Sequence, residues 1–474
     1  MTVIPPALRL SPELLMMIFK HVCAHGNSYG YLAPINRGPL NPPWAVFKYL
    51  SAPQPAFLVS SVCYTWRTIA LATAELWSYI RVHCSIWFRN HAALRLALQR
   101  SKNTPLRLEI LGTLLEIGPD HVIMCLVSES ARWKDVLFNI STISTRTNSP
   151  NHQSLAAALS QIPSLPIIST FSTNMPILKL PMFSLSPLLS SLALSNEHGL
   201  RSHQSFVWSQ IRRLSLKQTM YSSNGALIIA PILSRCTQLE ILEVYDIGFH
   251  GHSTIFPITT LPRVVELCLS SRSMLYIHML HVFAAELRFP SLRSLTLAFD
   301  GGVASIDKSA SDKIVAFVTK SCSPQKITYL CLTGSVTSDS LHPILAVLPE
   351  MVEVELNLLR LGFDTKLIRA LTPTAGNGGS ILLPKMELLS LSISEGVVRE
   401  RVVNTDFALL FEMVRARTGP NSHVLLKSFN LSVDLEEGKE AAGFREYIRG
   451  MSNNLCVNLG VSVNSRPCHL RVYG

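Results

Sequence analysis

The sequence has little charge and no hydrophobic run long enough to cross a membrane. Only 15% of its 474 residues are Asp, Glu, Lys or Arg, whereas 48% are hydrophobic. The mean hydropathy of +0.28 raises the question of a membrane protein. However, apolar stretches such as residues 226–233 are interrupted well before the roughly 18–20 residues that a span needs. The first residues also lack the basic region and apolar run of a secretory signal. We therefore expect no association with a membrane.

Paired cysteines are absent as well. The 10 cysteines are scattered without paired spacing, which favours a reduced intracellular protein over a disulfide framework. Cys63, Cys268 and Cys331 lie inside apolar runs, where a thiol behaves as a small hydrophobic group. We therefore expect a cytoplasmic or nuclear location.

Recognisable catalytic motifs are missing. No phosphate-binding loop, dinucleotide fingerprint or nucleophile elbow occurs, and the glycines within residues 376–379 are typical of a flexible loop. The His-Val-Cys-Ala-His run at residues 21–25 has no second pair of ligands nearby, whereas a zinc site needs four. We predict a protein that is not an enzyme and that holds neither a cofactor nor a metal.

The net charge is +11, and the isoelectric point is near 9.2. A nucleic-acid-binding protein would cluster its Lys and Arg on one face. Here the basic residues are dispersed, with short doublets such as Arg212-Arg213. This distribution favours an ordinary solvated basic surface, and a nucleic-acid-binding face remains the less favoured alternative.

The N-terminal segment carries the start signals of a helix. Ser11 suits the N-cap, Pro12 the first helical position and Glu13 the positive end of the helix dipole. Apolar residues recur on one stripe over residues 14–19. A Gly- and Pro-rich loop is predicted over residues 24–54, followed by further helix over residues 57–70 and a third piece around residue 76. Taken without analogy, this pattern predicts a small helical core with two buried tryptophans.

Three blocks of this segment resemble the F-box family. That family opens with Leu-Pro-x-Glu-Leu-Leu-x-x-Ile-Phe, continues with Val-Cys-x-x-Trp-Arg and closes with Leu-Trp. The blocks occur in order at residues 10–19, 62–67 and 76–77. Ser11 is inserted between the first Leu and Pro, and the loop between the helices is long, as in the large F-box-like families of mushroom-forming fungi. The resemblance implies an F-box-like helical module at residues 8–80.

The family binds a Skp-type adaptor through apolar residues of these helices. A piece this small cannot bury all its large side chains, and an exposed apolar patch usually marks a partner site. Tryptophans would be expected to dominate such an interface. The resemblance implies adaptor binding by Pro12, Leu14, Leu15, Ile18, Val62, Cys63, Trp66, Leu76 and Trp77.

The rest of the chain is predicted to be a helical bridge over residues 81–129 and a repeat domain over residues 130–474. An apolar residue, two spacers and Leu-x-Leu recur, with early spacings of roughly 22 to 28 residues. Alternation at each copy predicts a short strand, and the connections at 311–321 and 406–417 are compatible with helix. The copies are residues 188–194, 211–216, 239–244, 264–269, 290–297, 327–332, 351–356, 386–391 and 426–431.

These repeats resemble irregular leucine-rich repeats, the usual companions of F-boxes. The predicted fold class is α/β: a small N-terminal helical F-box-like module followed by an irregular leucine-rich-repeat-like solenoid. An ordinary α/β domain with a parallel sheet is the alternative. In a solenoid the outward strand positions form a broad surface that suits a protein partner. Here these include Glu243, Glu266, Thr296, Glu355 and Ser390.

Together these resemblances imply a substrate-recognition adaptor of an SCF-type ubiquitin ligase. Its N-terminal helices would hold a Skp-type adaptor and, through it, a cullin-based ligase, while the repeats would hold an unknown protein target. A protein-interaction scaffold without a ligase, or a basic nucleic-acid-associated protein, are the alternatives.

Overall fold

The chain divides into two compact units, Met1–Ile211 and Arg212–Gly474. The computed structural model describes residues 10–25, 55–83, 91–113, 121–141, 157–173, 181–194, 206–217, 231–245, 258–271, 280, 283–299, 305–360, 365–373, 381–393, 403–418, 426–433, 458–460 and 468–473. Within these ranges the protein is a mixed α/β structure whose strands are mostly parallel.

The first unit opens with short helices. These are α1 (Pro12–His25), α2 (Pro55–Ser61) and α3 (Tyr64–Ala72), followed by a 3-10 turn at Ala74–Trp77. Ser11 caps α1 as predicted, because its hydroxyl accepts the N–H of Leu14 at 3.3 Å. The predicted loop over residues 24–54 lies outside the described residues, except for its first two positions, which belong to α1.

A parallel sheet follows in the same unit. Its strands are β1 (Tyr79–His83), β2 (Leu106–Thr113), β3 (Trp133–Ser141), β4 (Thr170–Thr173) and β5 (Ser191–Leu194), and each of them pairs with the next. Helix α4 (His91–Arg100) lies between β1 and β2 in sequence, and α5 (His121–Val127) lies between β2 and β3.

The prediction of a helical bridge over residues 81–129 is therefore corrected. It contains the expected helix near residue 90, but it also holds strand β2 and most of β1. The strand signal was present in the alternation of residues 106–111, whose apolar positions are buried. The series of parallel strands thus begins at Tyr79, directly after the helices.

The second unit repeats this arrangement over a longer stretch. Its main strands are β6 (Arg213–Lys217), β7 (Ile241–Tyr245), β9 (Glu266–Ser271), β11 (Ser294–Phe299), β13 (Tyr329–Val336), β14 (Glu353–Arg360), β15 (Leu388–Ile393) and β16 (Ser428–Val433). Each main strand pairs in parallel with the next.

Smaller elements complete this unit. Two short strands, β8 (Thr259–Thr260) and β10 (Leu287–Arg288), pair with each other, and β12 (Ser305–Ile306) pairs with β13. The last strands, β17 (Asn458–Gly460) and β18 (Cys468–Tyr473), are antiparallel, and β18 pairs with β16. The helices are α6 (Lys308–Ser321), α7 (Ser338–Ala346), α8 (Thr365–Leu371) and α9 (Val403–Thr418).

The prediction of a strand at each copy of the Leu-x-Leu pattern is confirmed. All of the copies overlap a strand, from β5 at residues 188–194 to β16 at residues 426–431. The predicted connections at 311–321 and 406–417 fall within α6 and α9. The leucines set the register, because those of neighbouring strands face each other in buried columns. One such column contains Leu214, Leu242, Leu267, Leu295 and Leu330.

A pair of backbone hydrogen bonds recurs at the entrance to each main strand from β7 to β16. At β7 the N–H groups of Glu240 and Ile241 both donate to the carbonyl of Arg212, at 2.8 and 3.0 Å. The same two-to-one pattern is found before each later main strand up to β16. The acceptors are the carbonyls of Arg212, Glu240, Val265, Arg293, Thr328, Val352 and Glu387. Successive strands therefore meet with the same local geometry.

One buried cation ties three elements of the second unit together. Arg417, near the end of α9, is fully buried. Its guanidinium donates to the carbonyls of Leu371 at 2.7 Å, Leu382 at 2.8 Å and Leu383 at 3.1 Å. Burial lowers the pKa of Arg417 to about 10, so the side chain stays charged at neutral pH. The end of α8 and the segment before β15 are both held by this one side chain.

In the part of the chain that the structure describes, no helix is long and apolar enough to cross a membrane.

Candidate functional site

The exposed apolar side chains concentrate on the N-terminal helices. We call Leu14, Met17, Ile18, Leu58 and Val62 the helical patch. Their exposed fractions are 49%, 64%, 46%, 49% and 59%, whereas large apolar side chains are normally among the most buried. Elsewhere in the described chain, exposed large hydrophobic residues are scattered, at Leu185, Leu188, Val207 and Ile258. A concentration of this kind marks a partner site more often than chance exposure does.

The helical patch follows from the spacing of residues on α1. Leu14, Met17 and Ile18 lie at i, i+3 and i+4, so they share one face of the helix. Leu15 and Phe19 lie on a second apolar stripe, and this stripe is the buried one. Because α1 is apolar on two faces, packing against its neighbours covers only one of them.

The nine adaptor-binding residues that the family resemblance implied differ in their exposure to solvent. Pro12, Leu14, Ile18 and Val62 are exposed, and Cys63 and Trp66 are partly buried. For the remaining three residues the prediction is corrected. They are core residues, with exposed fractions of 2% or less, and cannot contact a partner in this conformation: Leu15, Leu76 and Trp77.

Trp77 is buried because it connects the helices to one another. Its indole N–H donates to the carbonyl of Ala70 at 2.7 Å. Its ring meets Phe57 edge-on, with 5.0 Å between ring centroids, and the guanidinium carbon of Arg100 lies 4.4 Å from the ring centroid. Because both the indole N–H and the ring of Trp77 make their contacts inside the unit, neither is available to a partner.

Trp66 is in a different position. Its ring packs on Phe19 with 4.7 Å between centroids, and the ring is only partly covered. Its indole nitrogen is buried and has no hydrogen-bond acceptor among the described residues. A buried donor without an acceptor costs about 1–3 kcal/mol. Of the two tryptophans, Trp66 is therefore the one with unsatisfied bonding capacity near the helical patch.

Hydrogen bonds cap α3 and join it to α2, and an ion pair joins α1 to the 3-10 turn. Cys63 is the N-cap of α3, and its Sγ accepts the backbone N–H of Trp66 at 3.5 Å. Arg67 donates from Nε to the carbonyl of Ser60 at 3.0 Å. Lys20 on α1 pairs with Glu75 on the 3-10 turn at 3.6 Å. Cys63 and Trp66, the partly buried residues of the predicted site, therefore also stabilise the helices.

Two residues of the helical patch were not predicted from the sequence. Met17 and Leu58 are as exposed as the predicted members, and Tyr64 beside them is 82% exposed. The signal was the i, i+3, i+4 relation of Leu14, Met17 and Ile18. The family motif contains Leu14 and Leu15 alike, so it does not distinguish the exposed stripe from the buried one, and it leaves the position of Met17 unspecified.

The His-Val-Cys-Ala-His run at residues 21–25 was the segment of the sequence closest to a metal site. Among the described residues, no group of three or more His, Cys, Asp or Glu could hold a metal ion. Cys23, in the middle of the predicted His-Val-Cys-Ala-His run, is buried, and burial raises the pKa of its thiol to about 11. At neutral pH this thiol is protonated and packs as part of the core.

The second unit carries the other predicted surface. Side chains that alternate with the buried leucines of β7, β9, β11, β13, β14, β15 and β16 lie on one side of the sheet, which we call the open face. Four of the five predicted outward positions lie in a single row across it: Glu243, Thr296, Glu355 and Ser390. Glu266 lies in the adjacent row, two residues earlier along its strand.

Neither a scan of protein-family models nor a search of curated proteins finds a match for this chain.

Proposed function

We propose that this protein is a substrate-recognition adaptor of an SCF-type ubiquitin ligase. In this proposal the helical patch docks a Skp-type adaptor and the open face receives a protein target. The observation that carries the proposal is the exposed apolar surface of α1, α2 and α3. Full burial of a side chain of this kind is favourable by about 1.5–3 kcal/mol. Met17 and Val62 are 64% and 59% exposed, so a partner that covers them gains about 1–2 kcal/mol from each.

The packing of the helices supports an F-box-like module. The three sequence blocks of the resemblance lie far apart in the chain but converge in space. Phe19 from the first block packs on Trp66 from the second, and Lys20 pairs with Glu75 beside the third. Leu76 and Trp77 then form the core under α3. Such convergence is expected if the blocks belong to one folding unit.

The strand geometry supports a leucine-rich-repeat-like solenoid. The two-to-one hydrogen bonds at strand entrances and the aligned leucine columns recur with each repeat of the second unit. Each repeat would bury its leucines against its neighbours, as in quasi-one-dimensional repeat proteins. A doubly wound domain would instead order its strands with a reversal, whereas here the main strands pair in sequence order.

The proposed mechanism is proximity and involves no bond chemistry by this chain. An adaptor held at one surface and a target held at another share a high effective concentration. Positioning of this kind accelerates a reaction between the bound groups without any catalytic residue in the receptor. The cysteines that the structure describes are free of disulfides, which agrees with a reducing compartment, and we propose that the protein acts in the cytoplasm or nucleus.

Titration calorimetry with a purified Skp-type adaptor tests this proposal. We expect Leu14→Ala and Ile18→Ala to weaken binding by about 30-fold each, because central hot spots are worth about 2 kcal/mol or more. Both side chains are about half exposed, so neither substitution should unfold the protein. Leu185→Ala is the matched control, since Leu185 is 61% exposed in the same unit but distant in sequence from the helices.

Four outcomes separate the possibilities. Loss of binding in the two helix variants alone supports docking at the helical patch. Equal binding by the wild type and both variants contradicts it, as does the absence of binding by a folded wild type. Adaptor binding without ubiquitin transfer to any associated protein in a reconstituted ligase supports the scaffold alternative.

A further inference from the structure

Strand β6 extends the open face beyond β7 and places a serine between two cations. On this strand the side chains of Arg213, Ser215 and Lys217 alternate with the buried Leu214 and Leu216, so all three lie on the open face. Arg213 is exposed and Lys217 is partly buried, whereas Ser215 is only 4% exposed. The short serine therefore lies on the floor between two long basic side chains.

Strand β7 supplies the neighbours of these residues. Ser215 lies opposite Glu243, and Lys217 lies opposite Tyr245. The Glu243 carboxylate pairs with the Arg213 guanidinium and not with the serine. We call these five residues the β6–β7 cluster. Because it holds two cations and one carboxylate, the cluster has one positive charge in excess.

The Ser215 hydroxyl has unused bonding capacity. Its Oγ is buried and has no hydrogen-bond partner among the described residues, whereas the large majority of buried polar side-chain atoms in proteins are bonded. Glu243, the acceptor that the strand register places opposite, is already paired with Arg213. The hydroxyl is therefore available to a group that the described part of the chain does not supply.

Two further donors lie in the same cluster. The Lys217 ammonium lies 5.1 Å from the centroid of the Tyr245 ring, and it forms no ion pair with a described residue. The Tyr245 oxygen accepts a hydrogen bond from the Cys268 thiol at 3.9 Å, which leaves the phenol proton free to be donated. Burial, with Cys268 and Glu243 nearby, raises the pKa of Tyr245, so this proton is retained at neutral pH.

We propose that the β6–β7 cluster binds a carboxylate group of the protein target. This inference rests on the proposed function and names one chemical feature that the target presents to the open face. One carboxylate oxygen accepts from the Ser215 hydroxyl and the other from the Lys217 ammonium, with the Tyr245 hydroxyl as a further donor. The group enters between the side chains of Arg213 and Lys217, whose flexible stems can move aside.

The charges of the cluster favour a group with a single negative charge. A cation would be repelled by Lys217, whose charge no described carboxylate offsets. A phosphate carries nearly two negative charges at neutral pH, which exceed the single positive charge in excess and would be repelled by Glu243. Glu266, an exposed carboxylate on β9, lies opposite Ile241, at the Arg213 end of the cluster. One carboxylate therefore matches both the charge and the donors.

Ligand-observed NMR titrations of the full-length protein test the proposal. The probes are N-acetylalanine, which presents a chain-terminal carboxylate, and the α-amide of N-acetylglutamic acid, which presents a side-chain carboxylate. The amide of N-acetylalanine and inorganic phosphate are the comparison ligands. The protein variants are Ser215→Ala and Lys217→Gln. Their matched controls are Ser390→Ala, in the same row of the open face, and Lys427→Gln, at an exposed lysine before β16.

We expect at least one carboxylate probe to bind the wild type more tightly than the neutral amide and phosphate do. Ser215→Ala should weaken this binding about tenfold, because a hydrogen bond to a charged group is worth about that factor. Lys217→Gln should weaken it about fivefold or more, and the two controls should bind like the wild type. The tighter of the two carboxylate probes identifies the source of the carboxylate.

Three results would overturn the proposal. They are the absence of binding by both carboxylate probes, binding of the amide or phosphate that is as tight as theirs, and equal weakening in the variants and their controls.

The stability of Ser215→Ala separates a binding role from a structural one. This substitution removes a buried hydroxyl that has no described partner, so the urea midpoint should not fall. A lowered midpoint would show that the hydroxyl is satisfied within the fold, and it too would contradict the proposal.

Adaptor binding by the same proteins separates this inference from the proposed function. Ser215→Ala and Lys217→Gln should retain the wild-type affinity for the Skp-type adaptor, because both substitutions are in the second unit. Carboxylate binding that fails while adaptor binding persists refutes only the carboxylate inference. Adaptor binding that fails while selective carboxylate binding persists refutes the ligase role and leaves a receptor for carboxylate groups.

Discussion

The buried Arg417 offers a sharp test of how the second unit is held together. In Arg417→Met the replacement fills much of the same space but donates no hydrogen bond. The carbonyls of Leu371, Leu382 and Leu383 would then lose their shared donor. A methionine cannot satisfy them, and their position around a fully buried side chain limits access to water.

Two opposing contributions set the size of the effect. Three hydrogen bonds from a charged donor contribute about 1.5–3 kcal/mol each, or about 7 kcal/mol in total. Against this, the pKa of Arg417 falls from 12.5 to about 10, and at about 1.4 kcal/mol for each unit this is a cost of about 3 kcal/mol. We therefore expect Arg417→Met to lower the free energy of unfolding by about 4 kcal/mol.

The pH dependence of this loss follows from the same lowered pKa. A buried cation whose folded pKa lies below its unfolded value carries its full penalty below about pH 10, and the penalty is relieved only above that value. Arg417 is charged in both states between pH 6 and pH 9. The loss caused by Arg417→Met should therefore be the same at these two values.

Urea unfolding followed by two probes measures the effect. All six tryptophans lie between Trp44 and Trp208, in the first unit, so tryptophan fluorescence follows that unit alone and far-ultraviolet circular dichroism follows both. Arg415→Met, on the exposed side of α9, is the control. A lowered midpoint by circular dichroism in Arg417→Met alone is expected. Equal, small losses in both variants would refute the assignment of Arg417 as a tie between α8, α9 and β15.

The remaining predictions concern the two tryptophans and the thiols. Trp66→Phe keeps the contact with Phe19 and removes an unsatisfied donor, so stability should stay within about 1 kcal/mol of the wild type. Trp77→Phe loses its bond to Ala70 and leaves a void, and should cost about 2–4 kcal/mol; equal losses in urea denaturation would contradict this contrast. Burial raises the pKa of Cys236 and Cys322 to about 12 each. Both thiols should therefore resist iodoacetamide at pH 8 in the native protein, as judged by mass spectrometry, and rapid native labelling would show that they are accessible.

Much of the fold could be predicted from the sequence because its repeats are strongly patterned. Leu-x-Leu alternation defines a strand by itself, and each copy of it became one. The first strands were harder to find, since β1 follows directly on the helices and β2 lies between two helices. Their alternation was visible, but the neighbouring helical periodicity at residues 90–100 led to the prediction of a bridge.

The candidate site was harder to predict than the fold. A sequence motif identifies residues that matter, but it does not separate those that build a module from those that face a partner. Leu14 and Leu15 are adjacent and equally apolar, yet one is 49% exposed and the other 2%. Only the direction in which α1 is packed decides between them.

Hydrogen–deuterium exchange of the full-length protein, with and without a saturating Skp-type adaptor, tests the central proposal most directly. Docking at the helical patch predicts slower exchange in peptides covering Pro12–His25 and Pro55–Ala72, with β6 to β16 unchanged. Protection confined to the strands, or no protection of α1 at saturation, would contradict adaptor docking at this surface.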